Sequence, residues 1–246
     1  MNQIRAASYL HIFDQLERSL STSARLRAVK DTDAHDTLVP LLRLDAFDHS
    51  ELFNSFERVF AESFAVRPQL IPQPVDLDAV LSDAVPLSLL IVALQLKVLT
   101  QQHYLACVRG DERLEPSFVG VLKEHWTMEC GRTPSASSSL AIQQALARAL
   151  PGRTPSALRD YRRIMFVIDD VLRRQSELDV ATLELARGSR LAASERESVL
   201  NAQIAAHRKT FITFGIVNAA FVYAMRSLGP TAPAVLAGVV SSLASR

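Results

Sequence analysis

Apolar residues recur at three- and four-residue spacing through most of the chain, and period-two alternation is scarce. That repeat is the signature of amphipathic helices. Leu, Ala, Arg, Gln and Glu, all good helix formers, dominate, and only eight glycines occur. The pattern predicts an all-α protein. The first helix runs from about Asn2 into the region between Leu20 and Lys30, and the polar stretch "DTDAHDT" follows it. A second helix covers roughly Ser50 to Phe64. The three prolines of "VRPQLIPQPVD" mark a connector. A short turn capped by Asp76 or Asp78 comes next.

Pro86 suits the first turn of a long helix reaching about Arg109. "RGDERLEP" closes that helix, and another spans Glu115-Pro116 to Cys130-Gly131. Thr133-Pro134 and Thr154-Pro155 each pair a capping residue with proline at the first helical position. They open helices to Leu150 and Ala186. "RGSR" is a turn, and Ser194 with Glu197 forms an S-x-x-E capping box. The helix it starts is expected to run to Ser227, and a last helix covers Ala232 to Ala244. Segments Val85–Leu99 and Phe211–Met225 are apolar nearly all round, so they belong at the centre, with amphipathic helices covering them. Long helices with short connections predict a multi-helix bundle: a single domain over 1–246. Residues 1–75 form an N-terminal helical layer and residues 76–246 the bundle core.

Composition narrows the function classes. Lys plus Arg is 27 and Asp plus Glu is 26. Near-balance gives no footprint for nucleic acid and no polybasic membrane patch. The longest apolar runs, "VPLSLLIVALQL" and "FITFGIVNAAFVYAM", fall short of a membrane span. Two cysteines, Cys107 and Cys130, make no disulfide framework, and the N-terminus lacks the apolar run of a secretory signal. A reducing, cytoplasmic setting is the expectation. No phosphate-binding loop, dinucleotide fingerprint, nucleophile elbow or H-E-x-x-H occurs.

Three stretches carry a resemblance. "LKVLTQQHYLACVRGDERLEP" resembles a helix of the form E-x-x-T-Q-x-H-Y followed by an acidic turn. "LKEHWTMEC" resembles H-W-x-E-E-x-x-H, and the tail ending in "FGIVNAAF" resembles a helix-turn-helix closing on G-x-x-H-P-x-F. Together, over roughly Val85 to Leu228, they are similar to a group of bacterial ferritin-like or di-iron-oxygenase-like helical proteins. The resemblance implies a bundle of ferritin-like or heme-oxygenase-like arrangement. In such sites carboxylates bridge two irons and imidazoles complete the coordination.

Here the first-helix glutamate of that pattern matches Lys97. The first of the E-E pair matches Met128, the following histidine matches Arg132, and the late histidine matches Asn218. Lys97 and Arg132 bring positive charge where a dication would sit, and like charges repel strongly at low dielectric. The resemblance therefore implies a degenerate, non-catalytic member with no cofactor, acting by binding a partner protein or an apolar small ligand. An alternative is an iron-dependent oxidase or oxygenase using His103, Glu129, Glu177 and Asp179. Another is an accessory subunit pairing with an active paralogue, and a homodimer is also open.

Bland readings stand beside these. His103 with Tyr104 is a ligand pair or a buried, hydrogen-bonded histidine. His125 and Trp126 are a pocket wall or helix packing. Lys97 either pairs internally with Glu129, Glu177 or Asp179 or reaches solvent. Glu177 and Asp179, at i and i+2, do not share a helical face. Asp169, Asp170, Glu177 and Asp179 are expected to pair with Arg162, Arg163, Arg173 and Arg174, and His207 with Lys209 to lie on an exposed face.

Overall fold

A computed structural model describes residues 1–28, 49–131, 133–148 and 154–246, without the side chains of 25–28, 49–50, 128–131, 133–139 and 244. All regular structure among these residues is helical. In chain order the helices are α1 (Asn2–Ala28), α2 (His49–Phe64), α3 (Val75–Asp83) and α4 (Pro86–His103), then α5 (Pro116–Gly131) and α6 (Thr133–Ala147). They continue with α7 (Thr154–Arg187), α8 (Ala193–Arg208), α9 (Phe214–Val217), α10 (Ala219–Ser227) and α11 (Ala232–Ala244). Among the described residues no helix is long and apolar enough to cross a membrane.

α4 organises the rest. Every residue from Leu87 to Thr100 is buried, Lys97 included at 5 % exposure. A helix apolar on all sides is stable only when surrounded. α1, α5, α6, α7, α9 and α10 all pack on it. Pro86 sits in its first turn, where the missing N–H costs nothing. Each Leu, Ile or Val it buries contributes about 1.5–3 kcal/mol relative to exposure. The expectation of a central Val85–Leu99 helix is met.

α1 packs on α2, α3, α4 and α7 and buries Ile4, Tyr9, Phe13, Leu16 and Leu20. It thus contributes to the core as well as covering it. One contiguous apolar cluster reaches from Ile4 in α1 to Leu243 in α11.

The connector between α2 and α3 has no helix of its own, so side chains take up its backbone polar groups. Gln175 of α7 accepts from Ile71 N at 2.8 Å and donates to Gln69 O at 2.9 Å. Thr182 Oγ1 accepts from Gln69 N at 2.8 Å. From α1, Gln15 donates to Ile71 O at 3.0 Å, and His11 Nε2 lies 2.7 Å from the same oxygen.

Three details depart from the sequence reading. The Ser194/Glu197 capping box does not form: α8 is preceded by Ala192 and has no side-chain cap. The helix from there to Ser227 is interrupted. A π turn at Lys209–Thr213 follows α8, and the chain breaks at Asn218 before α10. Asp169, fully buried, pairs with Arg208 of the next helix at 2.6 and 2.9 Å, and Arg246 lies 3.7 Å from it. Asp170 pairs with Arg246 at 3.1 Å. Neither acid's carboxylate pairs with the helix-internal arginines expected for it; buried Asp169 is met instead by the Arg208 fork from the facing helix.

α9 comes close enough to α4 to require glycine. A Cβ on Gly215 would lie 2.3 Å from Gln95 Cγ. Gln95 cannot retreat, since its amide donates to Phe211 O at 2.9 Å and accepts from Tyr161 Oη at 2.5 Å. Gly215→Ala is expected to cost about 1–3 kcal/mol, the range for overpacking a tight core. Urea denaturation of the two proteins measures it; an unchanged midpoint would mean that α9 moves away freely.

Candidate binding site

The buried polar residues converge where α1, α7 and α8 meet. Asp179 on α7 is 1 % exposed. Its Oδ1 accepts from Ser8 Oγ of α1 and from Gln175 Nε2 at 2.9 Å. Its Oδ2 accepts from Gln203 Nε2 at 2.5 Å and from His207 Nε2 at 2.9 Å, both of α8. Four donors fill a carboxylate's lone-pair positions.

The contacts fix orientations. Asp179 is an acceptor only, so His207 carries its proton on Nε2. Gln203 then turns its amide nitrogen to Asp179 and its oxygen to Arg5, whose Nε donates to it at 2.9 Å. Arg5 is thereby aimed, while its two terminal amino groups make no hydrogen bond among the described residues.

Arg5 looks into a cavity of about 490 Å³ between α1, the end of α4 and the start of the π turn after α8. Two π turns shape it. Tyr104–Val108 continues α4, with Arg109 N bonded to Tyr104 O at 2.9 Å, and Lys209–Thr213 continues α8. Such i→i+5 turns widen a helix and recur at functional sites. The first contributes Cys107 and Val108 to the wall, and the second contributes Lys209 and Thr210.

His103 forms the cavity's inner wall. It is 8 % exposed, stacks on Tyr9 at 3.9 Å between ring centroids, and makes no side-chain hydrogen bond among the described residues. Burial lowers its pKa from 6.5 to about 3, with His207 and Arg5 pushing in the same direction. It is a neutral imidazole at physiological pH.

Four cationic side chains, Arg5, Arg109, Arg113 and Lys209, line the cavity against one carboxylate, Asp111. Asp111 is held by Arg113 at 2.7 and 2.9 Å, and that pair lowers the acid's pKa. Arg5, Arg109 and Lys209 have no carboxylate partner among the described residues. Burial lowers the Arg5 pKa while Asp179 opposes the shift; a guanidinium stays charged in either case. Burial raises the pKa of the Cys107 thiol, which is therefore protonated and a poor nucleophile at neutral pH.

The other candidate positions do not line this cavity among the described residues. Lys97 is inside α4, and Met128 and Glu129 are helical residues of α5 whose side chains fall outside the described residues; Arg132 lies outside them altogether. Glu177 is exposed and Asp179 buried, as i, i+2 spacing requires. Asn218 caps α10, accepting from Ala220 N at 2.9 Å. His125 packs edge-on against Phe13 and Phe53, and Trp126 stacks on Tyr104 at 4.9 Å. Among the described residues no three His, Cys, Asp or Glu side chains converge as a metal-ligand group.

His207 is the main correction. The exposed face expected for it is a buried one, at 1 % exposure, because it answers Asp179. Ser8, Gln175, Gln203 and Arg5 were not singled out by the sequence. Their signal was helical phase: Gln175, Asp179 and Thr182 continue the stripe of Ile168, Val171 and Leu172.

A second cavity, about 430 Å³, lies between α7, α8 and α11 and is also cationic. Its arginines are committed: Arg208 and Arg246 to Asp169, and Arg173 to the Arg246 carbonyl at 3.0 Å.

No family model, no curated protein and no solved structure matches this chain.

The neutral His103 leaves a pH signature. The unfolded chain protonates this imidazole below about pH 6.5, whereas the folded chain resists down to about pH 3. Stability should therefore fall as pH drops from 6.5 towards 3, by about 1.4 kcal/mol per unit for this group. Urea denaturation between about pH 7 and pH 5 should give a shallower loss for His103→Gln than for the parent. Parallel curves would place the His103 proton on the ring in the folded state.

Proposed function

We propose that the protein is a non-catalytic binding protein whose ligand is a small anionic molecule held in the cavity beside His103. One observation carries this reading. Among the described residues, the His103 imidazole has no hydrogen-bond partner and faces a cavity that Arg5, Arg109 and Lys209 line without carboxylates of their own. Its ring nitrogens are open to the cavity, so their hydrogen-bonding capacity is available to a bound molecule. The cationic wall favours an anionic ligand over the apolar one implied by the family resemblance.

A degenerate di-iron ancestry is compatible with this function and remains part of the proposal. The oxidase reading is less favoured. Asp179 already accepts from four donors, Glu177 faces solvent, and Asn218 is occupied as a helix cap.

Thermal melting at fixed ionic strength tests the proposal, with chloride replaced by sulfate or citrate. A ligand present at about twentyfold its dissociation constant stabilises by about 1.8 kcal/mol. For a chain of this size that is roughly 4–7 °C. Sulfate also stabilises proteins generally by exclusion from their surface. The relevant quantity is therefore the difference between the parent and Arg5→Gln/Lys209→Gln. The parent should gain several degrees more than the double variant; equal gains would sink the proposal.

A further inference from the structure

The three cations without a carboxylate partner among the described residues differ in origin in a way that bears on the ligand's chemistry, Lys209 Nζ lying also 5.6 Å from the Phe214 ring centroid. Arg5 comes from α1, Arg109 from the loop just after the first π turn, and Lys209 from the second. A single carboxylate presents two coplanar oxygens, and one guanidinium fork satisfies it. Three donors approaching from three elements fit a group with three outward oxygens and more than one negative charge. A phosphate monoester has three acceptor oxygens and carries about −1.5 to −2 at neutral pH.

Size supplies the second constraint. At about 30 Å³ per water, the cavity of about 490 Å³ holds roughly sixteen waters, far more than one tetrahedral anion displaces. The remaining wall is partly apolar, with Ala6, Val108, Leu114 and Leu122. His103, in the inner wall, offers one N–H donor and one nitrogen acceptor. The ligand therefore has a body as well as a charged head.

Resting on the anion-binding reading above, we infer that this cavity takes a small phosphate monoester. Its phosphate is shared by Arg5, Arg109 and Lys209, and its organic body lies along Leu114 and Leu122 towards His103. Arg113 stays on Asp111 and forms the rim.

The experiment compares phenyl phosphate, benzoate and inorganic phosphate by titration calorimetry at constant ionic strength. Mass-spectrometric mapping of Cys107 alkylation by iodoacetamide reports occupancy, since Cys107 lines the cavity. Phenyl phosphate should bind at least about tenfold more tightly than benzoate, and inorganic phosphate should compete with it. Phenyl phosphate should also slow alkylation of Cys107 saturably. Arg5→Gln and the surface variant Arg109→Gln should each weaken it about tenfold, whereas Arg190→Gln, outside the cavity, should not.

Benzoate binding as tightly as phenyl phosphate would overturn the phosphate class and leave the anion site standing. Binding of phenyl phosphate that neither protects Cys107 nor responds to Arg5→Gln and Arg109→Gln would overturn the location. No binding by either phosphate would overturn the inference outright, while the sulfate and citrate melts decide the broader reading independently.

Discussion

Asp179 is a carboxylate buried at the junction of three helices, and much of the molecule's polar architecture follows from satisfying it. An ionised acid without partners in a protein interior costs several kcal/mol or more. Here Ser8 of α1, Gln175 of α7, and Gln203 and His207 of α8 all donate to it. Each donor has a second contact. Gln175 holds the connector at Gln69 and Ile71, and Gln203 holds Arg5. Satisfying one charge thus fixes the register of α1 against α7 and α8. It also pins a proline-rich segment and aims a cation.

The apolar constraint works at right angles to this. Because α4 is buried on all sides, elements packing on it must approach closely, and Gly215 against Gln95 is the tightest case. Gln95 bonds to Phe211 O, a carbonyl within the second π turn. The side chain that α9 crowds thus also supports the widened turn presenting Lys209 and Thr210. The cavity wall and the core thus share parts, although the loop after the first π turn also contributes Arg109, Asp111 and Arg113 to the wall.

Much of the helical layout was legible because long periodic segments announce themselves. The predicted Glu115–Gly131 and Thr154–Ala186 helices match α5 and α7 within a residue or two, since proline-start signals and glycine-end signals depend on local chemistry alone. The buried network was not legible, because Asp179 and His207 are 28 residues apart and neither looks unusual in its own segment. Only their phase on the buried stripe hinted at them. The π turns were hidden for another reason: a one-residue change of period is invisible to a pattern read at 3.6 residues per turn. The Ser194/Glu197 capping box failed because the helix starts before the serine, at Ala193, and leaves it inside the first turn. The family resemblance drew attention to His103 without its surroundings. Its neighbours are Tyr9 and the cavity, and the matched position Asn218 is a cap.

The way Arg5 is held ties its orientation to the fold while its terminal amino groups make no hydrogen bond among the described residues. A direct ion pair with Asp179 would occupy its fork and cancel most of its charge. Placing Gln203 between them changes that. The amide transmits orientation through two hydrogen bonds, one at each end, and uses only Nε of the guanidinium. Asp179 still acts on Arg5 through space, opposing the effect of burial on its pKa. The desolvation of the cation is thus partly offset while its two terminal amino groups stay available. Neutral His103 completes the arrangement, since a charged imidazole there would sit against Arg5 and His207 with no counter-ion. The fold thus sets the positive charges of Arg5, Arg109 and Lys209 and the neutral imidazole of His103 around one cavity.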